Sequence, residues 1–307
     1  MEKYKIAKTL LTFETPLSPD IKSMSCFVNR YAVFAVSVAS VLCMAAGVSA
    51  AQDGNRVSPL YFGPGALPVP DMPYVSERLY VELDYDHFTG FYGDMTETVF
   101  AEARIPLFSE RVNLSLWMPV VEFYRYSPDA LAHFRPLDGR TSGCQAGNVY
   151  VSVDFLLLKE RRVLPAVVVR AAIITASGDG EEYARYFDAP GYFFDASLSK
   201  SFAIGNGFFR SIAVSAGGGF LCWQVSAHSQ NDAYMYGVSA AVSTRLFDLS
   251  CAWQGYSGWI GNGDRPMVIK TDLSFKAGSH FRPLLAYEYG LRDWPWHHFR
   301  IGVGYVF

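Results

Sequence analysis

Phe299-Arg300-Ile301-Gly302-Val303-Gly304-Tyr305-Val306-Phe307 ends the chain. Phe299, Ile301, Val303, Tyr305 and Phe307 alternate with Arg300, Gly302, Gly304 and Val306. Successive side chains of a strand point to opposite faces, so this period of two gives one apolar face and one polar or small one. The same period runs upstream. Leu79, Val81, Leu83 and Tyr85 alternate with Tyr80, Glu82, Asp84 and Asp86. Val99, Ala101, Ala103 and Ile105 alternate with Phe100, Glu102 and Arg104. Val149 to Phe155 alternate with Tyr150, Ser152 and Asp154, and Met267 to Phe275 with Val268, Lys270, Asp272, Ser274 and Lys276. Less regular strands are expected at 112–125, 163–175, 191–202, 208–223, 233–245, 247–257, 281–291 and 297–307. Many match the roughly 9–11 residues that a tilted strand needs to cross hydrocarbon, whereas ordinary strands run about 5–6.

The connections alternate too. The odd-numbered ones contain 89–95, 127–146, 176–190, 226–232, 258–265 and 292–296; the even-numbered ones contain 109–110, 159–162, 204–207, 245–246 and 278–280. Short turns on one rim and longer loops on the other predict an all-β fold over 78–307. It is a transmembrane antiparallel up-and-down β-barrel of about twelve strands, with turns and barrel termini periplasmic in a bacterial outer membrane. Closure lets a sheet exist in lipid, because an open edge would leave a row of backbone groups unpaired. Composition agrees. Half the residues are apolar, 16% are aromatic and 18% are charged, against roughly 25% charged in soluble domains. A net charge of −3 offers no footprint for nucleic acid. The longest uncharged run, Tyr31–Gln52, lies near the N-terminus, and no later stretch resembles a membrane helix.

Lys3, Lys5, Lys8, Lys22 and Arg30 precede the apolar Tyr31–Ala46, and Val48-Ser49-Ala50 supplies small residues for cleavage. Residues 1–51 therefore read as a signal peptide, with Met24 an alternative start. Residues 52–77, with Gly63-Pro64-Gly65, Pro68, Pro70 and Pro73, read as an irregular periplasmic lead-in. Beyond the leader, Cys144, Cys222 and Cys251 have no disulfide or zinc spacing and read as free thiols or small hydrophobes.

The terminal alternation, with Phe307 last, resembles the final strand of bacterial outer-membrane proteins. That resemblance makes Tyr305 and Phe307 part of a signal for the barrel assembly machinery. A second resemblance lies in Ile173-Ile174-Thr175-Ala176-Ser177-Gly178-Asp179 and Asp188-Ala189-Pro190-Gly191-Tyr192-Phe193-Phe194-Asp195. This segment looks like the strand–Gly loop–strand of outer-membrane channels associated with phenol-degradation pathways. It implies a channel for small or hydrophobic solutes; read by themselves, the glycines are ordinary turn residues.

With the apolar face toward outer-membrane lipid, the lumen carries Glu82, Asp84, Asp86, Glu102, Arg104, Asp154, Arg170, Asp195, Lys270, Asp272, Glu288 and Arg300, joined by Asp248, Lys276 and Arg282. These charges either select solutes along an aqueous path or pair across a filled interior. The first reading makes the chain a passive pore for small solutes without cofactor. The second makes it a closed structural or adhesion barrel whose loops meet a partner. A lipid-modifying barrel enzyme is the third reading; its candidates, His228-Ser229-Gln230-Asn231, sit in a loop. Trp294, Trp296, His297 and His298, and likewise Tyr183, Tyr186, Tyr192, Phe193 and Phe194, read as aromatic girdle. Gly217-Gly218-Gly219 lies within a strand, where glycine allows bending or close backbone approach.

Overall fold

Alternation becomes strand along most of the chain. The computed structural model describes residues 63–65, 68–107, 110–134, 139–178, 185–186, 190–226, 229–258 and 265–307. The expected signal peptide, Met24, Tyr183 and His228 lie outside them. The strands are β1 (Tyr80–Gly90), β2 (Met95–Pro106), β3 (Val112–Arg125), β4 (Ser142–Gln145), β5 (Tyr150–Leu158), β6 (Ala166–Ile174), β7 (Gly191–Ala203), β8 (Phe209–Ser226), β9 (Ser229–Thr244), β10 (Phe247–Ser257), β11 (Met267–Phe275), β12 (Phe281–Arg292) and β13 (Trp296–Val306). A short helix, α1 (Pro128–Phe134), follows β3.

All strands except β4 form one closed antiparallel ring, in chain order, which is the expected twelve-stranded barrel. The seam pairs β1 with β13, from Tyr80 opposite Val306 to Gly90 opposite Trp296. Phe307 N donates to Leu79 O at 3.0 Å, extending that seam to the last residue. β4 pairs only with the loop-rim end of β3, on the edge that β5 occupies further down, and so extends the wall there.

Two expectations change. Residues 226–232 are not a loop: β8 and β9 pair as far as Ser226 opposite Ser229. These strands, of 18 and 16 residues, run past the length lipid requires. The two rims also differ less in connection length than the sequence suggested. Residues 91–94 and 293–295 are as short as turns on the opposite rim; 126–149 and 175–190 are the long loops.

Burial is inverted relative to a soluble protein. On β1, Leu83 is 54% exposed while its neighbour Asp84 is 3% exposed. Val81, Tyr85, Phe299, Ile301 and Val303 are likewise exposed, and Glu82 and Asp86 are buried. The apolar face points out, where only lipid makes it stable, and the charged face points in.

Of the expected lead-in 52–77, the described residues 63–65 and 68–77 run inside the ring. Trp294, beyond β12, donates to Pro64 O at 3.3 Å, near the loop rim. Arg170 on β6 donates to Asp71 O, and Lys270 on β11 reaches the Asp71 carboxylate at 2.6 Å. Ser197 on β7 donates to Pro73 O at 2.8 Å. The chain thus descends from the loop rim to Tyr80 at the turn rim. Proline supplies the reason it forms no ladder: Pro68, Pro70 and Pro73 lack the N–H a strand would donate. Glycine supplies the room. A Cβ on Gly217 would sit 3.1 Å from the Met72 sulfur, and one on Gly237 3.5 Å from it. The close approach anticipated at Gly217 is made first by the neighbouring strand, Ala196 O lying 2.9 Å from such a Cβ, and then by this inner segment.

Candidate functional site

The inward side chains converge on the lumen, which has three levels. Nearest the turn rim, serine dominates. Ser197 and Ser199 (β7), Ser215 (β8), Ser239 (β9), Ser250 (β10) and Ser274 (β11) line one cavity. These short side chains leave space and offer hydroxyls, which suits a path for water.

The middle level is a belt of charge built from the residues predicted by alternation. Arg300 donates to both Asp86 oxygens at 2.6 and 2.8 Å, lies 3.4 Å from Asp84 and covers the Phe100 ring at 4.5 Å. His298 sits 3.0 Å from both Asp86 and Glu288 and stacks on Phe88 at 4.1 Å. Arg170 meets Asp195 at 2.8 and 2.7 Å. Lys270 pairs with Asp71 and stands 3.7 Å from Asp272. Arg104 is paired with Glu102 and lies over the Tyr74 ring at 3.7 Å. Asp154 accepts from Ser115 at 2.6 Å and Ser152 at 3.2 Å. Glu82 contacts the Tyr80 hydroxyl. Closer to the turns, Lys276 binds Asp248 at 2.6 Å, and Arg282 is tied to the carbonyls of Gly278, Phe281 and Ser279. Arg104, Arg170, Lys270 and Arg300 each have an acidic partner, but the carboxylates of the belt outnumber its cations, so the belt carries an excess of acid.

The third level departs from the sequence reading. Below the loop rim the inward face turns apolar: Phe88, Tyr124, Tyr150, Ile174, Phe193, Leu221, Tyr256, Val268, Trp294 and Trp296 form one buried cluster. α1 lowers Ala130 and Phe134 into it, and Phe134 stacks on Trp296 at 5.9 Å. Trp294, Trp296, His298, Tyr186 and Phe193, expected in the girdle, are therefore interior. Their parity explains it. Residues 294, 296 and 298 share the face of Arg300, opposite Phe299 and Ile301. Tyr192 and Phe194 do lie on the outer face. His297 does too, accepting or donating at 2.9 Å with Tyr287.

A polar latch holds the roof together. Arg185, in the loop between β6 and β7, donates to Glu122 at 2.7 Å, Thr96 at 2.6 Å and Tyr126 at 3.2 Å. Tyr186 adds a bond to Glu122 at 2.9 Å. Burial alone would drive the Arg185 guanidinium toward neutrality, but the Glu122 carboxylate outweighs it and holds the proton more firmly than usual. Burial likewise pushes the Tyr186 phenol well above its usual value. The sequence singled out Tyr186 as a girdle aromatic but not Arg185 or Glu122, because no local pattern links the loop at 185 to a side chain on β3.

Between roof and belt lies a second cavity, lined by Phe88, Phe100, Trp117, Tyr150 and Phe193. Both cavities share Asp71, Glu102, Arg104, Lys270 and Arg300. The inner segment divides them, with Asp71 at the division held by Lys270 and by Gln254 at 2.9 Å.

Solved structures of the same shape are bacterial outer-membrane channels. The COG4313 outer membrane channel from Pseudomonas putida F1 superposes with a TM-score of 0.54, at 11% identity over 79% of this chain and 96% of that one. The likeness is one of fold. The NanC porin gives a TM-score of 0.48 at 10% identity, covering 74% of this chain and 100% of that one. The KdgM porin gives 0.43 at 10% identity, covering 74% and 99%. No protein-family model matches the sequence, and no curated protein matches it either. Cys144, Cys222 and Cys251 are free thiols, and no helix among the described residues is long and apolar enough to cross a membrane.

Proposed function

We propose that this chain is a bacterial outer-membrane barrel that passes small solutes by diffusion, with its short turns and barrel termini periplasmic. The observation that carries it is the pair of cavities sharing one charged belt. A barrel needed only as a wall has no use for a serine-lined half and a belt rich in buried carboxylates. Because those carboxylates outnumber the cations beside them, the reading favours neutral or cationic solutes over anions. The relation to phenol-pathway channels belongs to the same proposal, supported by the Ile173–Asp195 segment and by the aromatic lining of the upper cavity. Tyr305, half-buried, and Phe307, exposed, lie at the seam and fit recognition by the barrel assembly machinery. No cofactor enters this function, and it is not enzymatic.

The packed roof favours a second reading, a closed barrel whose loops serve a partner. Planar-bilayer recording separates the two. Discrete openings are expected, and Asp71→Ala should enlarge them by releasing the inner segment from Lys270 and Gln254. A folded barrel that stays silent at all voltages would end the pore reading and leave the closed one.

A further inference from the structure

Three neighbouring turns on the short rim hold an excess of positive charge. They are Lys159–Leu164 between β5 and β6, Lys200–Arg210 around the β7–β8 turn, and Arg245-Leu246 between β9 and β10. Together they contain Lys159, Arg161, Arg162, Lys200, Arg210 and Arg245, and one carboxylate, Glu160. Glu160 is already engaged: it accepts from Ser201 N at 3.1 Å and pairs with Lys200 at 2.9 Å. Arg161, Arg162 and Arg245 are exposed, and among the described residues no acceptor meets their guanidinium groups.

The turns are joined into one surface. Lys200 donates to the carbonyls of Arg161 at 2.5 Å and Arg162 at 3.1 Å. Arg245 N donates to Phe208 O at 3.0 Å, and the Phe208 ring meets Phe247 at 6.1 Å. The same turns also expose apolar side chains: Val163 at 83%, Leu246 at 62% and Leu164 at 50%, with Phe208 and Phe209 beside them. Turns that stand in water do not gain from such residues. Turns dipped to the edge of the hydrocarbon do, because removing each apolar side chain from water is favourable. An arginine next to a submerged leucine then lies at headgroup depth, its stem along the apolar surface and its charge in the polar layer. A guanidinium there matches a phosphate diester in charge and in the geometry of paired hydrogen bonds. The β11–β12 turn, Ala277-Gly278-Ser279-His280, carries no such group.

We propose that the arc from the β5–β6 turn to the β9–β10 turn binds anionic phospholipid of the adjoining leaflet, phosphate on Arg161, Arg162 and Arg245 and acyl chains against Val163, Leu164 and Leu246. The partner is a lipid rather than free phosphate, since the apolar residues are as exposed as the basic ones and lie between them. The arc faces outward, so it works independently of what the lumen conducts.

The test uses the folded protein in detergent, short-chain phosphatidylglycerol or phosphatidylcholine, and native mass spectrometry to count bound lipid. Phosphatidylglycerol should be retained in preference to phosphatidylcholine. Each guanidinium removed should weaken it about fivefold, so Arg161→Gln, Arg162→Gln and Arg245→Gln together lose on the order of a hundredfold. Arg265→Gln, on the loop rim, should change nothing, and single-channel conductance of the triple variant should match the native protein. Heat-modifiable migration confirms that each variant is folded; if the triple variant is not, Arg245→Gln alone reports the fivefold loss. Equal retention of the two lipids, native affinity in the variants, or displacement of the lipid by millimolar inorganic phosphate would each overturn the proposal.

Discussion

Removing Arg300 tests whether the charged belt is a device of stability as well as of passage. Its side chain is 14% exposed, and it satisfies both oxygens of Asp86 while lying 3.4 Å from Asp84. In Arg300→Leu, Asp86 keeps only His298, and Asp84 loses its nearest cation, with both carboxylates still almost wholly buried. Breaking a buried pair from one side costs about 3–5 kcal/mol, because the remaining charge stays desolvated. The adjoining cavities admit water, so the lower end, about 3 kcal/mol, is expected here. Equilibrium unfolding in urea from lipid vesicles, followed by tryptophan fluorescence, should show that loss. Arg300→Leu combined with Asp86→Leu should recover a good part of it, since the second change removes a stranded charge. In a conducting barrel the single variant should also shift the reversal potential toward cations. A single variant within about 0.5 kcal/mol of the native protein would refute the claim that these groups are coupled in a poorly solvated interior.

Three further outcomes follow from other parts of the molecule. Gly237→Leu should overpack the inner segment against Met72, costing about 1–3 kcal/mol and raising deuterium uptake in residues 68–74 while β9 stays protected; unchanged uptake there would count against the segment's seat. Leu83→Arg, on the outer face near mid-strand, should cost about 2–4 kcal/mol in vesicles, and a neutral result would argue that this face does not meet hydrocarbon. Asp94, in the β1–β2 turn, is pushed above its ordinary value of 3.8 by burial, against the opposing bond from Trp296. The folded state thus holds that proton more tightly than the unfolded one. Its contribution is greatest in acid and is lost as pH rises from about 4 through the raised value; Asp94→Asn should flatten this part of the pH–stability curve, measured by thermal loss of heat-modifiable migration.

Period-two alternation was enough to place the twelve strands and the two faces, because in a barrel lipid rewards every second residue and the signal repeats along each strand. It was enough for Asp84, Asp86 and Arg300, which share a face with plainly apolar neighbours opposite. Two features escaped it. The roof is apolar on the inward side as well, so Trp294 and Trp296 looked like girdle although their parity with Arg300 already placed them inside. The inner segment has no period at all. Its prolines spoke only against regular structure, and its position depends on side chains far along the chain, such as Lys270 and Arg170, that local pattern cannot connect to it.

That segment also constrains how the molecule is made. A chain that leads directly into β1 can enter a finished ring only through the turn rim, because Phe134 and Trp296 pack the other end. Drawing the seam shut with the segment already seated avoids that passage. Trimming residues 68–74 should therefore lower the share of heat-modifiable protein, which reports closure, more than the amount recovered in the membrane.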